Sequence, residues 1–262
     1  MTQMSTDEVL QLIINVADEV ITPRFRALGD QHVDQKAPGD FVTIADREAE
    51  ELITAGLLAR NPDALIVGEE ASYANPKLMT GLGQAELAYT VDPVDGTTNF
   101  VKGSPRYAVM VAEVRRGETT RGWIWQPETG RAYVAERGGG LYCNGEPVRR
   151  GPAHNPPRGM TTRRSWRHFD SRGRLTPTLH TNYCAGFDYS QLFAGEVDYF
   201  TYRNPWPWDH LPGSLMLREL GGQSLDNRGR FYGARVGVPN SLVIAADDAL
   251  ARQVVGYFRP EQ

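Results

Sequence analysis

Cysteine is nearly missing from this chain of 262 residues, which holds only Cys143 and Cys184, far apart and without ligand-spaced partners. A disulfide framework and a thiolate metal site are therefore excluded, and both cysteines read as small buried residues. Long apolar runs are also missing. Nothing approaches the roughly 18 residues of a membrane span, and no cationic start leads into an apolar segment of the signal-peptide kind. Positive charge is not in excess either: the formal net charge is −4. Electrostatics thus give no case for a nucleic-acid partner, and no basic amphipathic helix suggests a membrane surface. These absences point to a cytoplasmic protein that acts on a small molecule. Internal repeats and low-complexity segments are absent, and the length can bury a full core as one compact unit or as two closely fused halves.

What is present begins with a capping box, Ser5 with Glu8, followed by Val9, Ile13, Val16 and Val20 at helical spacing. A first amphipathic helix is expected over 6–28, bent at Pro23. Phe41 to Ile44 reads as a strand and 46–60 as a second helix, with Ala49, Leu52, Ile53 and Leu57 on one face. Both helices should pack on one sheet. Leu65-Ile66-Val67 is a buried strand running into Gly68-Glu69-Glu70, and Leu87 to Val91 is another. From Tyr107 the apolar runs are short (107–114, 122–125, 132–135) and lead to an Asn144-Gly145 turn, which predicts an antiparallel meander. Beyond Arg150 the pattern alternates: strand at 183–187, helix at 189–194, strand at 197–201, helix from about Asp209 to Leu220, strand at 242–246, and a final helix from Asp247. The expected organisation is an α+β half over 1–150 and an α/β half over 151–262.

The most informative stretch is Asp92-Pro93-Val94-Asp95-Gly96-Thr97-Thr98-Asn99-Phe100. Asp92 falls at the end of an apolar run, where open α/β sheets place their ligands. Pro93 fixes φ and removes a donor, so Asp92 and Asp95 sit on a tight bend and can point to one side. Two such carboxylates repel unless a cation lies between them. A donor set of carboxylates and carbonyls, without paired His or nearby Cys, suits a hard ion such as Mg²⁺ or Mn²⁺ and not zinc. Gly96-Thr97-Thr98 then offers backbone amides to a phosphate. Asp-Pro-x-Asp-Gly by itself is also a common surface turn; the adjoining cradle is what turns it into a site. The Asp-x-x-Asp spacing argues against an aspartyl-phosphate mechanism of the haloacid dehalogenase type, which needs Asp-x-Asp.

Taken together, Gly68-Glu69-Glu70, the stretch from Asp92 to Phe100, Trp208-Asp209 with Gly213 and Gly221-Gly222, Lys36 ahead of Thr43-Ile44-Ala45-Asp46, and the glycine-rich hairpin Gly138-Gly139-Gly140 with Asn144-Gly145 resemble the inositol monophosphatase family. These are Mg²⁺-dependent, Li⁺-sensitive phosphatases, and the resemblance covers nearly the whole chain in order. It implies a layered α-β-α-β-α sandwich, a homodimer, and hydrolysis of a small polar phosphate ester by metal-activated water. It further implies that Glu69, Asp92 and the Val94 carbonyl hold one Mg²⁺, and that Asp92, Asp95 and Asp209 hold a second. A third, weaker ion would rely on Glu69 and water. By the same resemblance the Gly96 and Thr97 amides hold the phosphate, with Asp95 beside them. Thr97, bonded to Asp46, and Glu70 would then activate and orient water. Members that prefer inositol phosphates carry Glu seven positions before the metal-binding Asp. Here Tyr202 stands there, so Tyr202 and Arg203 are expected to line the pocket of a different alcohol, such as histidinol, a sugar or a phosphoadenosine. A catalytically silent binding protein on this fold is the reading from another class.

Other features carry two readings each. Asp209 stands where a helix N-cap would go, and Pro212 in the first turn has no amide to offer its oxygens. Arg158, Arg163, Arg164, Arg167, Arg172 and Arg174 form either a solvated connector or a clamp for a second anionic group. His210 is a helix-surface residue or one behind the site, the other four histidines lack ligand spacing, and Trp208 packs behind the site.

Overall fold

The computed structural model describes residues 3–29, 32–37, 40–169 and 171–258. Helix α1 (Thr6–Val16) starts at the Ser5–Glu8 capping box and buries Val9, Ile13 and Val16. It continues through a wide π-type turn at Ala17–Ile21 and a tight turn at Thr22–Arg24. The helix expected over 6–28 therefore ends early, and Pro23 sits in the tight turn, where its fixed φ and missing amide do no harm. Strands β1 (Val33–Ala37) and β2 (Asp40–Thr43) pair antiparallel and lead into α2 (Ile44–Arg60). Lys36 falls on β1, and its side chain lies outside what the structure describes.

Seven strands form the first sheet: β3 (Leu65–Gly68), β4 (Ala88–Asp95), β5 (Ala108–Arg115), β6 (Glu118–Gln126), β7 (Arg131–Glu136), β8 (Gly140–Cys143) and β9 (Glu146–Pro147), paired in that order. The pair β3–β4, which is split in sequence by α3 (Glu69–Ala74), is parallel; the rest are antiparallel. The expected hairpin turn is there, with Asn144 and Gly145 both at positive φ. Cys143 is half-buried, not buried as the sequence suggested.

Alternation along these strands sends side chains to two different cores. Tyr89, Val91, Val109, Val111 and Trp123 meet the apolar faces of α1 and α2. Ala88, Met110, Ala112 and Ile124 meet α5 (Ala185–Phe193) and α6 (Pro207–Glu219) through Tyr189, Phe193, Leu211 and Leu215. The far side of those two helices rests on a second sheet, of order β11-β10-β12-β14-β13. Its strands are β10 (Gly159–Thr161), β11 (Leu179–His180), β12 (Tyr199–Arg203), β13 (Gln223–Asp226) and β14 (Ser241–Ala245). Helix α7 (Asp248–Tyr257) covers its outer face against Tyr199, Leu225 and Val243. Helices, sheet, helices, sheet and helix thus stack as the expected α-β-α-β-α sandwich.

One sequence expectation fails: 183–187 is not a strand, because α5 begins at Ala185. The side chain of Asp95 accepts the amides of Ala185 and Gly186, which satisfies the helix start from outside the segment. Tyr189, Leu192 and Phe193 then lie on its buried face. A remote partner decided the outcome, and local pattern could not reveal it.

The connector after residue 147 is fixed by a buried acid. Asp198 accepts from the Arg150 guanidinium at 2.6 Å and from the amides of His154 and Arg158 at 3.2 and 2.8 Å. Burial alone would raise this carboxyl, but the Arg158 amide, Arg150 and His154 outweigh it and hold Asp198 below its ordinary value. The Arg150 and Asp198 side chains are 4% and 0% exposed. Asp198→Asn leaves the arginine buried without its counter-charge, so we expect a loss of about 3–5 kcal/mol in equilibrium urea unfolding. Unchanged stability would show that this pair does not hold the connector.

Candidate active site

The end of β4 carries the centre of the site. Residues three apart on a regular strand face opposite sides, because side chains alternate with a period of two. Here the β4–β5 register shifts: Asp92 pairs with Met110 and Asp95 with Ala108, so one extra residue is accommodated in β4. That bulge returns Asp95 to the face of Asp92. Pro93 lies within the irregular stretch, where the strand has no ladder amide to lose. The Val94 amide donates to Asp92 Oδ1 at 3.1 Å, holding the bend from inside.

Glu69 reaches the same place through the parallel pair. Gly68 stands beside Val91 in the β3–β4 register, so the chain leaves β3 alongside Asp92. Glu69 and Glu70 occupy the first turn of α3. The side chain that fixes this turn went unnoticed in the sequence: Glu50, from the middle of α2, accepts the Glu70 and Ala71 amides at 2.7 and 2.8 Å. A Cβ on Gly68 would lie 2.3 Å from the Glu50 carboxyl carbon, so glycine is what lets that carboxylate approach. Asp46 and Glu50, four apart on the buried face of α2 with Ala49, Ile53 and Leu57, were the available signal.

Gly96, at φ +86°, turns the chain from β4 into α4 (Thr97–Val101). Left-handed φ favours glycine, and packing does too: a Cβ there would stand 3.0 Å from the Arg106 carbonyl and the Cys184 Cβ. Thr97 Oγ1 lies 3.1 Å from Asp46 Oδ1 and 3.0 Å from the Val94 carbonyl, the pairing with Asp46 that the resemblance implied. Asp95 is anchored from across the molecule by the Ala185 amide at 3.0 Å, the Gly186 amide at 2.6 Å and the Cys184 thiol at 2.9 Å. Cys184 is therefore more than the filler the sequence suggested. Asp209 is not the N-cap of α6 as expected: Trp206 takes that place, and Asp209 lies in the first turn, after Pro207 at the helix start.

The electrostatics confirm that these acids share one neighbourhood. Asp92 is held well above the ordinary carboxylate range by burial, then by Glu69, Asp95, Asp209 and Asp46. Burial also raises Asp95 to about 6, with Glu69 contributing, and Asp46 to about 7, with Glu69 and Glu70 contributing. Glu50 is raised to about 7 by burial despite the two amides it accepts. Among the described residues, the charged groups that raise Asp92 are Glu69, Asp95, Asp209 and Asp46, all carboxylates, and a centre of this kind suits a cation. An all-oxygen donor set of this kind fits Mg²⁺ or Mn²⁺. Among the described residues, no three His, Cys, Asp or Glu side chains stand around a common ion position.

The residues expected to line the alcohol pocket divide. Tyr202 donates its phenol hydrogen to Asp188 Oδ2 and stands edge-on to His210, with ring centres 4.4 Å apart. Burial and the facing Asp188 push its ionisation far upward. Asp188, itself buried and raised to about 7 by burial, is a second residue the sequence reading missed. Arg203 is exposed at the end of β12, and Arg163, seated on Trp166 at 4.6 Å, lies close enough to feel its charge. His210 is fully buried, not a surface histidine, and burial lowers it to about 3, so it is neutral.

Comparison with known proteins places the chain in a family. A family model described as the inositol monophosphatase family matches residues 4–260. An inositol-1-monophosphatase of Rhizobium meliloti (strain 1021) is 32% identical over 219 residues, spanning 78% of this chain and 79% of its own. The Nus factor SuhB of Vibrio cholerae is 31% identical over 237 residues, spanning 86% and 85%. An IMPase structure from Thermotoga maritima matches with a TM-score of 0.80 at 25% identity and covers 96% of both chains. Agreement in sequence and in layered fold over nearly the whole length makes this chain a member of the inositol monophosphatase family.

Proposed function

We propose that the protein is a Mg²⁺-dependent phosphomonoesterase acting on a small phosphate ester. The observation that carries this reading is the buried Asp92, raised by Asp95, Glu69 and Asp209 around it, next to a glycine-started helix. Glu69, Asp92 and the Val94 carbonyl would hold one ion, and Asp92, Asp95 and Asp209 another. When bound, such ions acidify water and neutralise charge on the phosphoryl oxygens. The chain's own residues do the rest. The first amides of α4 lack acceptors within the helix and suit a phosphate oxygen. Thr97, whose hydroxyl hydrogen is directed to Asp46 or the Val94 carbonyl, keeps its lone pairs for an incoming water. Glu70, pinned by Glu50 through its amide, stands on the same turn as Glu69 to orient that water and accept its proton. The relative named a Nus factor motivates the reading from another class, in which the fold serves binding without turnover; Mg²⁺-dependent release of phosphate from p-nitrophenyl phosphate separates the two.

Asp92→Asn removes the charge shared by both ion positions, so turnover should fall by more than about 10³-fold while the fold persists by circular dichroism. Near-normal turnover at saturating Mg²⁺ would remove Asp92 from the ligand set.

Chelation should silence the enzyme reversibly, with Mn²⁺ restoring activity as Mg²⁺ does, because an oxygen-donor site of moderate rigidity exchanges hard ions. The family resemblance adds inhibition by Li⁺. Full activity in excess chelator would overturn the metal dependence.

In metal-free protein the pH dependence of stability has a definite sign. The proposed ligands Asp92 and Asp95, and Asp46 and Glu50 behind them, are all raised when folded, Asp95 to about 6 and Asp46 and Glu50 to about 7. Their contribution is fully present below about pH 4 and is lost as pH rises through 7. Ions that bind only the folded, ionised site reverse this loss. Thermal unfolding should therefore show that Mg²⁺ raises Tm more at pH 8 than at pH 5; an equal shift at both would contradict carboxylate ligation.

A further inference from the structure

Two exposed aromatic residues belong to segments that form the site, and each ring is stacked on a second one. Tyr183 is 61% exposed and sits at φ +59°, a conformation that a bulky residue rarely adopts. Its carbonyl lies 3.2 Å from where a Gly96 Cβ would be, so the residue touches the turn that opens the phosphate cradle. Its ring lies 4.1 Å from that of His180, centre to centre and tilted by 35°. His180 is fixed in turn: its Nδ1 stands 2.7 Å from the Thr181 carbonyl, which can only accept, so Nδ1 carries the hydrogen. The neighbouring Asn182 is clamped by Asn99 of α4, by Arg106 and by Asp188. A strained backbone that is held on every side and presents a ring to solvent is a built feature.

Trp206 stands on a different segment, as the N-cap of α6, one turn ahead of Asp209. It is 39% exposed and lies flat on the buried Trp208, with centres 5.3 Å apart and planes within 7°. Its carbonyl accepts from the Tyr232 hydroxyl at 3.5 Å. One aromatic residue thus has its backbone against the Gly96 turn, and the other starts the helix whose first turn carries Asp209.

We infer that Tyr183 and Trp206 determine specificity by stacking on the alcohol portion of the substrate, and that the preferred esters carry a flat unsaturated ring. The inference rests on the phosphomonoesterase reading and narrows it. A saturated polyol such as inositol presents C–H edges and hydroxyls and gains little from two ring faces, whereas an aromatic or heteroaromatic ring gains from each. Tyr202, expected from the sequence to supply that face, is turned inward onto Asp188, so the role falls to residues that no spacing rule had marked.

Benzyl phosphate and cyclohexylmethyl phosphate differ in ring flatness and little in size or leaving-group basicity. Wild-type enzyme in Mg²⁺ should favour the benzyl ester in kcat/KM by about fivefold or more. Tyr183→Gly, which suits the positive φ, and Trp206→Leu should each bring that ratio toward one, and Trp206→Phe should restore most of it. Calorimetric binding of benzylphosphonate and cyclohexylmethylphosphonate gives the same comparison without turnover. A wild-type ratio near one in both measurements, or a ratio that survives both substitutions, overturns the inference while leaving hydrolysis intact. Selective binding without hydrolysis of either ester would instead sink the phosphomonoesterase reading and keep the aromatic one.

Discussion

The repulsion among carboxylates gathered at the end of β4 is the constraint on which the rest of the structure depends. Burying one unpaired charge is expensive, and several of one sign in a medium of low dielectric are worse. Asp92 is raised by burial and by four neighbouring carboxylates, Glu69, Asp95, Asp209 and Asp46. The fold tolerates the cluster because two large apolar cores flank it and because backbone amides take part of the negative potential. Glu50 accepts two amides of α3 and Asp95 accepts two of α5. Each of those contacts lowers the carboxyl concerned, yet burial still wins at both. The residual misfit is what a bound metal ion would correct, so ion affinity and folding stability would be linked through the same groups.

Asp95 shows how site and fold share parts. It ends a strand of the first sheet, and its oxygens start a helix that rests on the second. The same carboxylate that would bind a metal therefore couples the first sheet to α5. The Cys184 thiol adds a third donor to it, at a position where a larger side chain would press on the Gly96 turn. Packing and catalysis are not separable here, and a substitution at position 184 would be felt at both.

Much of this was legible in the sequence, for reasons that can be named. The Ser5–Glu8 box, the apolar faces of α1 and α2 and the Asn144-Gly145 turn are local signals with local causes, and each is there, although α1 ends at Val16 and Leu52, expected on the packed face of α2, is exposed because that face is set by Ala49, Ile53 and Leu57. The carboxylates were legible because Pro93, Gly96 and the acids that flank them are improbable together except as a turn with a purpose. What the sequence hid depends on distant partners. Glu50 looks like one more acid on a charged helix until α3 is laid over it. The start of α5 depends on a carboxylate some ninety residues earlier. Tyr202 reads as a pocket wall until Asp188, one helix away, takes its hydroxyl. Asp209 reads as a cap because Pro207 looks like part of a loop, whereas Pro at the first helical position moves the cap back to Trp206.

The pairing of β3 with β4 ties these points together. In a sheet otherwise antiparallel, consecutive strands send their C-terminal ends to opposite edges, and acids following two neighbouring strands would be separated by the strand length. Because β3 and β4 run parallel, Glu69 and Asp92 leave the sheet side by side. The cost is a crossover connection, and residues 69–87 supply it with α3 and a tight helical turn at Pro76–Gly81. Had β3 been antiparallel, Glu69 would lie at the far edge and the cluster at Asp92 would lose its strongest electrostatic neighbour. The parallel sense of this single pair is therefore what brings Glu69, from a separate segment, to the side of Asp92.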